Sequence, residues 1–320
     1  MTIKMKDITR SKMFALLVLL AAIVIFFSIT SSGAFLRLTN IRNILQATVV
    51  VSLLTIGSGM LMISGQIDLS LGGIGTMCAM LAAYLMRAGA PWHISMLTAI
   101  VLGGVCGLFN AVLVNELNFQ SFIATLATAS ITQGFMAVIS KGGQIDILDR
   151  AFNSIGGSRF LNGLVPYSLL ISLVALVLYG VMLKNTKFGR SIYLVGGSPE
   201  ASRLAGLRPR RISYILFMNA GALSAVAGMM LAGRLKTANT VGITGSQFAG
   251  ITAAVLGGIS FGGGSGGMGG ALVGILILGS FNNGMTVINV PPYWQTVASG
   301  TLLLIALAAD FISMKRRAVN

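Results

Sequence analysis

Charge is the scarcest property of this chain: of 320 residues only seven are acidic, one is histidine and two are cysteine, while 55% are hydrophobic. Each shortage excludes something. One histidine and two cysteines 28 positions apart leave no spacing that would hold zinc or build a redox centre. His93 follows Pro91 and Trp92 at an expected loop and reads as an interfacial residue. Cys78 and Cys106 fall inside apolar runs, where a thiol behaves as a small apolar group, so no disulfide framework is indicated. The sequence has no G-x-x-x-x-G-K-[ST], and its glycine-rich "LGGISFGGGSGGMGG" carries no lysine, so a phosphate-cradling loop and self-sufficient ATP hydrolysis are excluded.

What is abundant is apolar length. A mean hydropathy of +0.88 is beyond any soluble domain of this size and makes the chain an integral membrane protein. Residues 13–36, 43–67, 69–86, 88–115, 117–140, 160–183 and 212–233 carry no Lys, Arg, Asp or Glu, and most reach the roughly 20 residues that a bilayer crossing needs. Residues 237–309 are uncharged throughout, long enough for about three more crossings. Breaks are expected in the glycine-rich 257–270 and near Pro291-Pro292. The expected fold is an all-α polytopic bundle of about ten transmembrane helices, some broken, forming one transmembrane unit over residues 1–320.

The net charge of +15 could suggest nucleic acid, but the basic residues crowd short segments beside apolar runs, where they set orientation. Lys4, Lys6, Arg10 and Lys12, then Lys184, Lys187, Arg190, Arg203, Arg208, Arg210 and Arg211, then Lys315, Arg316 and Arg317 hold most of the 22 Lys and Arg. With ten spans all three groups face one side, which predicts both termini in the cytoplasm. The first run is read as a retained helix, since "FSITSSGAF" offers no clear cleavage site.

The longest inner segment, 184–211, contains a readable helix over 198–206. Ser198 suits an N-cap, Pro199 the first helical position, Glu200 the first turn and Gly206 the stop. Ala201, Leu204 and Ala205 share one face, with Glu200 and Arg203 on the other. A piece this short needs a partner or a membrane surface to hold it, and it is either a capped turn in a solvated loop or a docking helix.

Polar groups inside apolar runs narrow the site. "SGQIDLSLGG" places Asp68 between two long runs, with Gln66 and Ser70 beside it. Gly65 can end the first helix, and Asp68 stands just before the next, where a carboxylate can cap free N–H groups and meet the positive end of the helix dipole. Capping is the leading account of Asp68, ahead of direct substrate contact. Asn219, Gln247, Asn282 and Asn283 lie in other expected spans, where amides face a cavity or neighbouring helices. Glycines at 266, 270 and 274 would give a helix a smooth packing face, whereas 261–265 is too glycine-rich for a helix.

Four stretches in order carry a resemblance. "NIRNILQATVVVSLLTIGSGMLMISGQIDLSLGG", "FQSFIATLATASITQGF", "TKFGRSIYLVGGSPEASRLAGL" and "ITAAVLGGISFGGGSGGMGGALVGILILGSFNNGM" are similar to the permease subunits of ribose-type ABC sugar importers, within the wider group that includes branched-chain amino acid permeases. Gln66 stands where that family usually has the second Gly of its signature, Leu71 replaces a common Val, and Ser198-Pro199 replaces an Asn-containing start.

The resemblance implies a bacterial cytoplasmic-membrane permease without its own ATPase site or cofactor. Such a permease pairs with a second copy or a close relative, docks cytoplasmic ATPase subunits through Ser198, Glu200, Arg203 and Gly206, and receives a small polar solute from an extracytoplasmic binding protein. Gln66, Asp68, Ser70, Asn219, Asn282 and Asn283 are the expected pore or gate residues. Nucleosides or amino acids are alternative cargoes. An ion-coupled carrier built from broken helices is the alternative of a different class.

Overall fold

A computed structural model describes residues 12–160 and 165–319; the expected basic group at Lys4, Lys6 and Arg10 lies outside them. The described residues form α1 (Lys12–Thr30), α2 (Leu38–Ile63), α3 (Leu71–Arg87), α4 (Trp92–Asn115), α5 (Ser121–Ser140), α6 (Arg150–Gly157), α7 (Tyr167–Asn185), α8 (Lys187–Gly197), α9 (Pro199–Leu204), α10 (Pro209–Leu235), α11 (Ser246–Leu256), α12 (Met268–Val287) and α13 (Pro292–Val319). Two small antiparallel pairs stand at the loops: β1 (Ile145–Asp146) with β4 (Thr237–Ala238), and β2 (Arg159–Phe160) with β3 (Val165–Pro166).

Eight of these helices, α1, α2, α4, α5, α7, α10, α12 and α13, are long and apolar enough to cross a membrane. Two more apolar helices, α3 and α11, are shorter. The three crossings expected in 237–309 are therefore two full helices and a half. The 11 residues of α11 rise only about 16 Å against a hydrocarbon core of about 30 Å. Its missing length is supplied by the non-helical approach 239–245, whose backbone is bound from within the protein. Asn239 accepts from Val241 N–H (3.1 Å) and Gly242 N–H (2.7 Å), and Thr76 of α3 accepts from Ile243 N–H (3.0 Å). Irregular backbone at membrane depth survives only under such cover.

The pillars are α2 and α10, whose most apolar stretches are 78% and 61% buried, against 6% for α1 and α13. Small residues let the pillars and their neighbours touch along the backbone. A Cβ on Gly103 of α4 would meet the Gly221 carbonyl of α10 at 2.5 Å, and one on Gly228 of α10 would strike Gly75 of α3. Between helices in lipid, where hydrophobicity gives no preference for one partner over another, close backbone packing of this kind supplies the attraction. Both cysteines are free.

The segment 184–211 is more helical than a loop. α7 runs to Asn185, Thr186 then caps α8 by accepting from Gly189 N–H (2.9 Å), and α10 begins as early as Pro209. The polar composition of "TKFGRSIYLVGG" hides an amphipathic helix that buries Gly189, Ile192 and Val195 on one side.

Candidate functional site

The interruption between α2 and α3 is built residue by residue. Gly65 takes a left-handed φ of +80°, and the N–H groups of Gly65 and Gln66 donate back to the carbonyls of Met62 and Leu61, both at 2.9 Å. This double bond closes the carbonyl end of α2, and glycine is the residue that takes the left-handed position without strain. The chain then passes through non-helical residues to Ser70, and α3 starts at Leu71.

Asp68 sits in that gap with no solvent exposure. One carboxylate oxygen accepts from Ser70 N–H (2.7 Å) and from the Ser70 hydroxyl (2.5 Å), and the other accepts from the Asn110 amide (3.2 Å). The Asn110 amide also donates to Ser70 Oγ (2.8 Å), and its carbonyl accepts from Thr128 Oγ1 (2.6 Å). The exposed backbone of the gap is sealed the same way: Ile67 N–H donates to Ser121 Oγ (3.2 Å) and Leu69 N–H to Thr125 Oγ1 (3.0 Å). A buried carboxylate therefore joins the break to α4 and α5 through a polar knot in which each named group has a partner. The carboxylate binds Ser70, the residue before the helix, and not the first-turn N–H groups of α3 itself. Asn110, Thr125 and Thr128 are the partners that sequence reasoning missed. An asparagine in "GLFNAVL" and threonines in "IATLATAS" were the only signals, and nothing local aims them at Asp68.

Gln66 and Ser70, neighbours in the sequence, part company. Ser70 belongs to the knot, whereas Gln66 points to the end of the bundle that carries α9. There its carbonyl accepts from Ser213 Oγ (3.0 Å) of α10, which in turn accepts from the Asn115 amide (2.9 Å) of α4. A cleft of about 280 Å³ opens beside these groups, bounded by Pro199 and Arg203 of α9.

α9 itself is a six-residue helix with both ends closed. Ser198 Oγ accepts from Ala201 N–H (3.1 Å), and Gly206, at φ +80°, lets Gly206 and Leu207 N–H donate back to Arg203 and Ser202 carbonyls (2.9 and 3.0 Å). Ser202 faces inward, while Ala201, Arg203, Leu204 and Ala205 are exposed, Leu204 at 91%. The expected apolar face thus exists and points away from the protein.

The remaining amides separate. Asn219 accepts from the Tyr179 hydroxyl, joining α10 to α7, and acts as helix-to-helix glue. Asn282 accepts from Ser299 Oγ (3.0 Å) and lines an open groove of about 700 Å³ between α11, α12 and α13. Thr244, Ser246, Thr252 and Gln295 line it too, and none of its described lining residues is charged. The carbonyl of Asn283, on the same helix, is buried without a hydrogen-bond partner among the described residues. The carbonyl of Gln247 is in the same condition, packed against Gly72 of α3.

The second break, 257–267, rests at its centre on close backbone contacts between glycines. A Cβ on Gly196, next to α9, would run into the Ile63 carbonyl and the Gly264 nitrogen, and Gly264 N–H donates to that Ile63 carbonyl (2.9 Å). Gly263, at φ +86°, would in turn strike Gly196. Tyr193 of α8 donates to the Gly266 carbonyl (2.8 Å), and Asp310 of α13 accepts from Phe261 N–H (2.9 Å). Beyond the break, Gly270 and Gly274 of α12 pack on Gly257 and Ala253, as their four-residue spacing predicts, while Gly266 stays in the loop.

Residues 40–307 match the family described as branched-chain amino acid transport system / permease component. The chain belongs to this family. It is 32% identical to the L-arabinose ABC transporter permease protein of Azospirillum brasilense, over 89% of this chain and 84% of that one. It is 33% identical to the ribose import permease protein of Bacillus subtilis (87% and 86%) and 29% identical to the xylose transport system permease protein of Haemophilus influenzae (95% and 97%). Among solved structures, PsaBC from Streptococcus pneumoniae in complex with Fab overlays with a TM-score of 0.49 at 14% identity, over 88% of this chain and 93% of that one.

Proposed function

We propose that the chain is the membrane-spanning subunit of an ATP-driven importer that moves a monosaccharide or a similar neutral polar solute across a bacterial cytoplasmic membrane, with both termini inside. The observation that carries this is the groove beside the half-helix α11. Its amide and hydroxyl groups, Asn282 and Gln295 among them, offer donors and acceptors without a fixed charge. That lining suits a polyol, whereas the two charges of a zwitterionic amino acid would find no counter-charge in it. Asn282 and Asn283 are then path residues, and the Asp68–Ser70 knot is the stiff corner behind the path. The arabinose, ribose and xylose in the relatives' names support the same cargo class.

In this reading residues 1–320 act as one membrane unit, and 184–211 is its coupling segment. The exposed face of α9, with Glu200 and Arg203, docks a cytoplasmic ATPase. A second permease copy or close relative completes the path, and an extracytoplasmic binding protein delivers the solute. Closure of the ATPase pair would move α9, and the spans would alternate between outward-open and inward-open states.

The test is uptake of labelled ribose, arabinose and xylose into proteoliposomes that hold this chain, an ABC ATPase and a binding protein. At least one pentose should accumulate only with ATP, and Asn282→Ala should lower its uptake several-fold. Accumulation driven by an ion gradient without the ATPase would overturn the proposal in favour of a secondary carrier.

A further inference from the structure

Helix α13 is lightly held: its most apolar stretch is 6% buried, and it packs chiefly against α11 and α12. Polar bonds tie it at two places. Toward its start, Gln295 donates to the Val290 carbonyl (2.8 Å) and Ser299 to Asn282 (3.0 Å). Toward its other end, a single carboxylate oxygen of Asp310 accepts from Phe261 N–H (2.9 Å) and from the Ser260 hydroxyl (3.2 Å). One of the seven acidic residues of the chain is thus fixed to the glycine break.

The break is itself a closed unit, since Ser260 N–H donates to the Ser265 carbonyl (3.1 Å) and Gly263 N–H to the Ser260 carbonyl (3.3 Å). Its far side is seated on α8 without slack. A Cβ on Gly263 would meet the Gly196 carbonyl at 2.7 Å, and one on Gly264 would meet the Gly197 Cα at 3.0 Å. The next residue, Ser198, ends α8 by donating to the Leu194 carbonyl (3.1 Å) and caps α9. Close contact therefore runs from α9 through the break to α13, and close-packed contacts pass on a displacement instead of absorbing it. The Ile63 carbonyl, at the end of the buried pillar α2, holds Gly264 N–H and gives the break a fixed point to turn on. Ser299 and Leu303 of α13 line the uncharged groove; Ser299 lies 11 residues from Asp310, about 16 Å along the helix.

We propose that Asp310 is a positioning residue that links α9 to the cargo groove. A shift of α9 moves the break with α8, the carboxylate draws the neighbouring end of α13 along, and the groove changes width at Ser299 and Leu303. This rests on the importer reading and deepens it by naming the wall that moves.

The experiment reconstitutes the full chain with its ATPase and binding protein in proteoliposomes and counts pentose moved and ATP hydrolysed together. Asp310→Ala should keep hydrolysis within about twofold of wild type and cut pentose moved per ATP by roughly threefold or more. Asp310→Asn, which keeps an acceptor oxygen, should restore most of that ratio, and Ser260→Ala, which loses only the longer bond, should fall between. An unchanged ratio, with both rates falling in parallel, is the mark of a purely structural residue and overturns the proposal. If Asp310→Ala fails to assemble, Ser260→Ala decides in the same way. Amide exchange on the same assembly in nanodiscs, with and without ATP and vanadate, separates the failures. Protection should change over 198–206 and 292–305 in wild type, and over 198–206 only in Asp310→Ala. A wild-type response at α9 with none in α13 overturns the link alone. An equal α13 response in Asp310→Ala overturns the role of Asp310. No response at either place overturns the importer reading and the link with it.

Discussion

The two interruptions of the helical bundle solve one problem by opposite means. At 64–70 the exposed backbone is tied by side chains: Ser121, Thr125, Asn110 and Ser70 converge on the gap and on Asp68. At 257–267 the central contacts are backbone on backbone, with Gly264 N–H on the Ile63 carbonyl and Gly196 and Gly263 in contact, and side chains hold the flanks, Tyr193 on the Gly266 carbonyl and Asp310 on Phe261 N–H and the Ser260 hydroxyl. A polar knot adds directional hydrogen bonds that each require a partner of the right type. A glycine contact adds proximity that tolerates no added atom. The first break should therefore degrade by degrees as its groups are altered, and the second should fail at once.

That contrast can be broken most forcefully at Gly196. Gly196→Val places carbon against the Ile63 carbonyl, a backbone atom that cannot swing away, and should cost on the order of 3–5 kcal/mol, so that little folded protein survives. Gel filtration of the detergent-solubilised variant after graded heating reports it; an unchanged melting midpoint would mean that the glycine break yields as readily as the polar one.

Next in size, Asp68→Ala strips the acceptor from Ser70 and Asn110 in a fully buried site and should cost about 2–4 kcal/mol. Asp68→Asn keeps one acceptor oxygen and should lose roughly half as much. Thermal midpoints and uptake should both rank wild type, Asn, Ala. Equal loss in the two variants would assign the role to the charge and not to its lone pairs.

A finer cut pairs Asn110→Leu with Thr128→Val. The two residues share one bond of 2.6 Å, so their costs should fail to add by about 0.5–3 kcal/mol in a double-mutant cycle. Additive costs would remove Thr128 from the knot. Smallest of all, Ser198→Ala should cost about 1 kcal/mol locally at α9 and leave the bundle within about 0.5 kcal/mol of wild type. Faster amide exchange at Ala201 with unaltered exchange in α2 is the expected signature; slowed exchange or a shifted midpoint would contradict it.

Much of this protein is written locally. Uncharged runs of about 20 residues can only be crossings, Ser198-Pro199 and Gly206 close α9 at both ends, and Gly65 ends α2, because span length, capping and left-handed turns depend on a residue and its few neighbours. The half-length of α11 was not legible, since an apolar composition does not say where hydrogen bonds within the helix give way to one donated by Ile243 N–H to Thr76. Nor was α8, whose buried face needed the neighbouring helices to define it. The amides Asn219, Asn282 and Gln66 look alike in sequence, yet one glues two helices, one faces a groove and one braces α10. Sequence by itself determined the approximate number of apolar runs and the places where they break. The partners of each break, Asn110 for Asp68 42 residues away and Gly264 for Ile63 about 200 residues away, were decided only by tertiary structure, because a hydrogen bond or a glycine contact is set by distance in space.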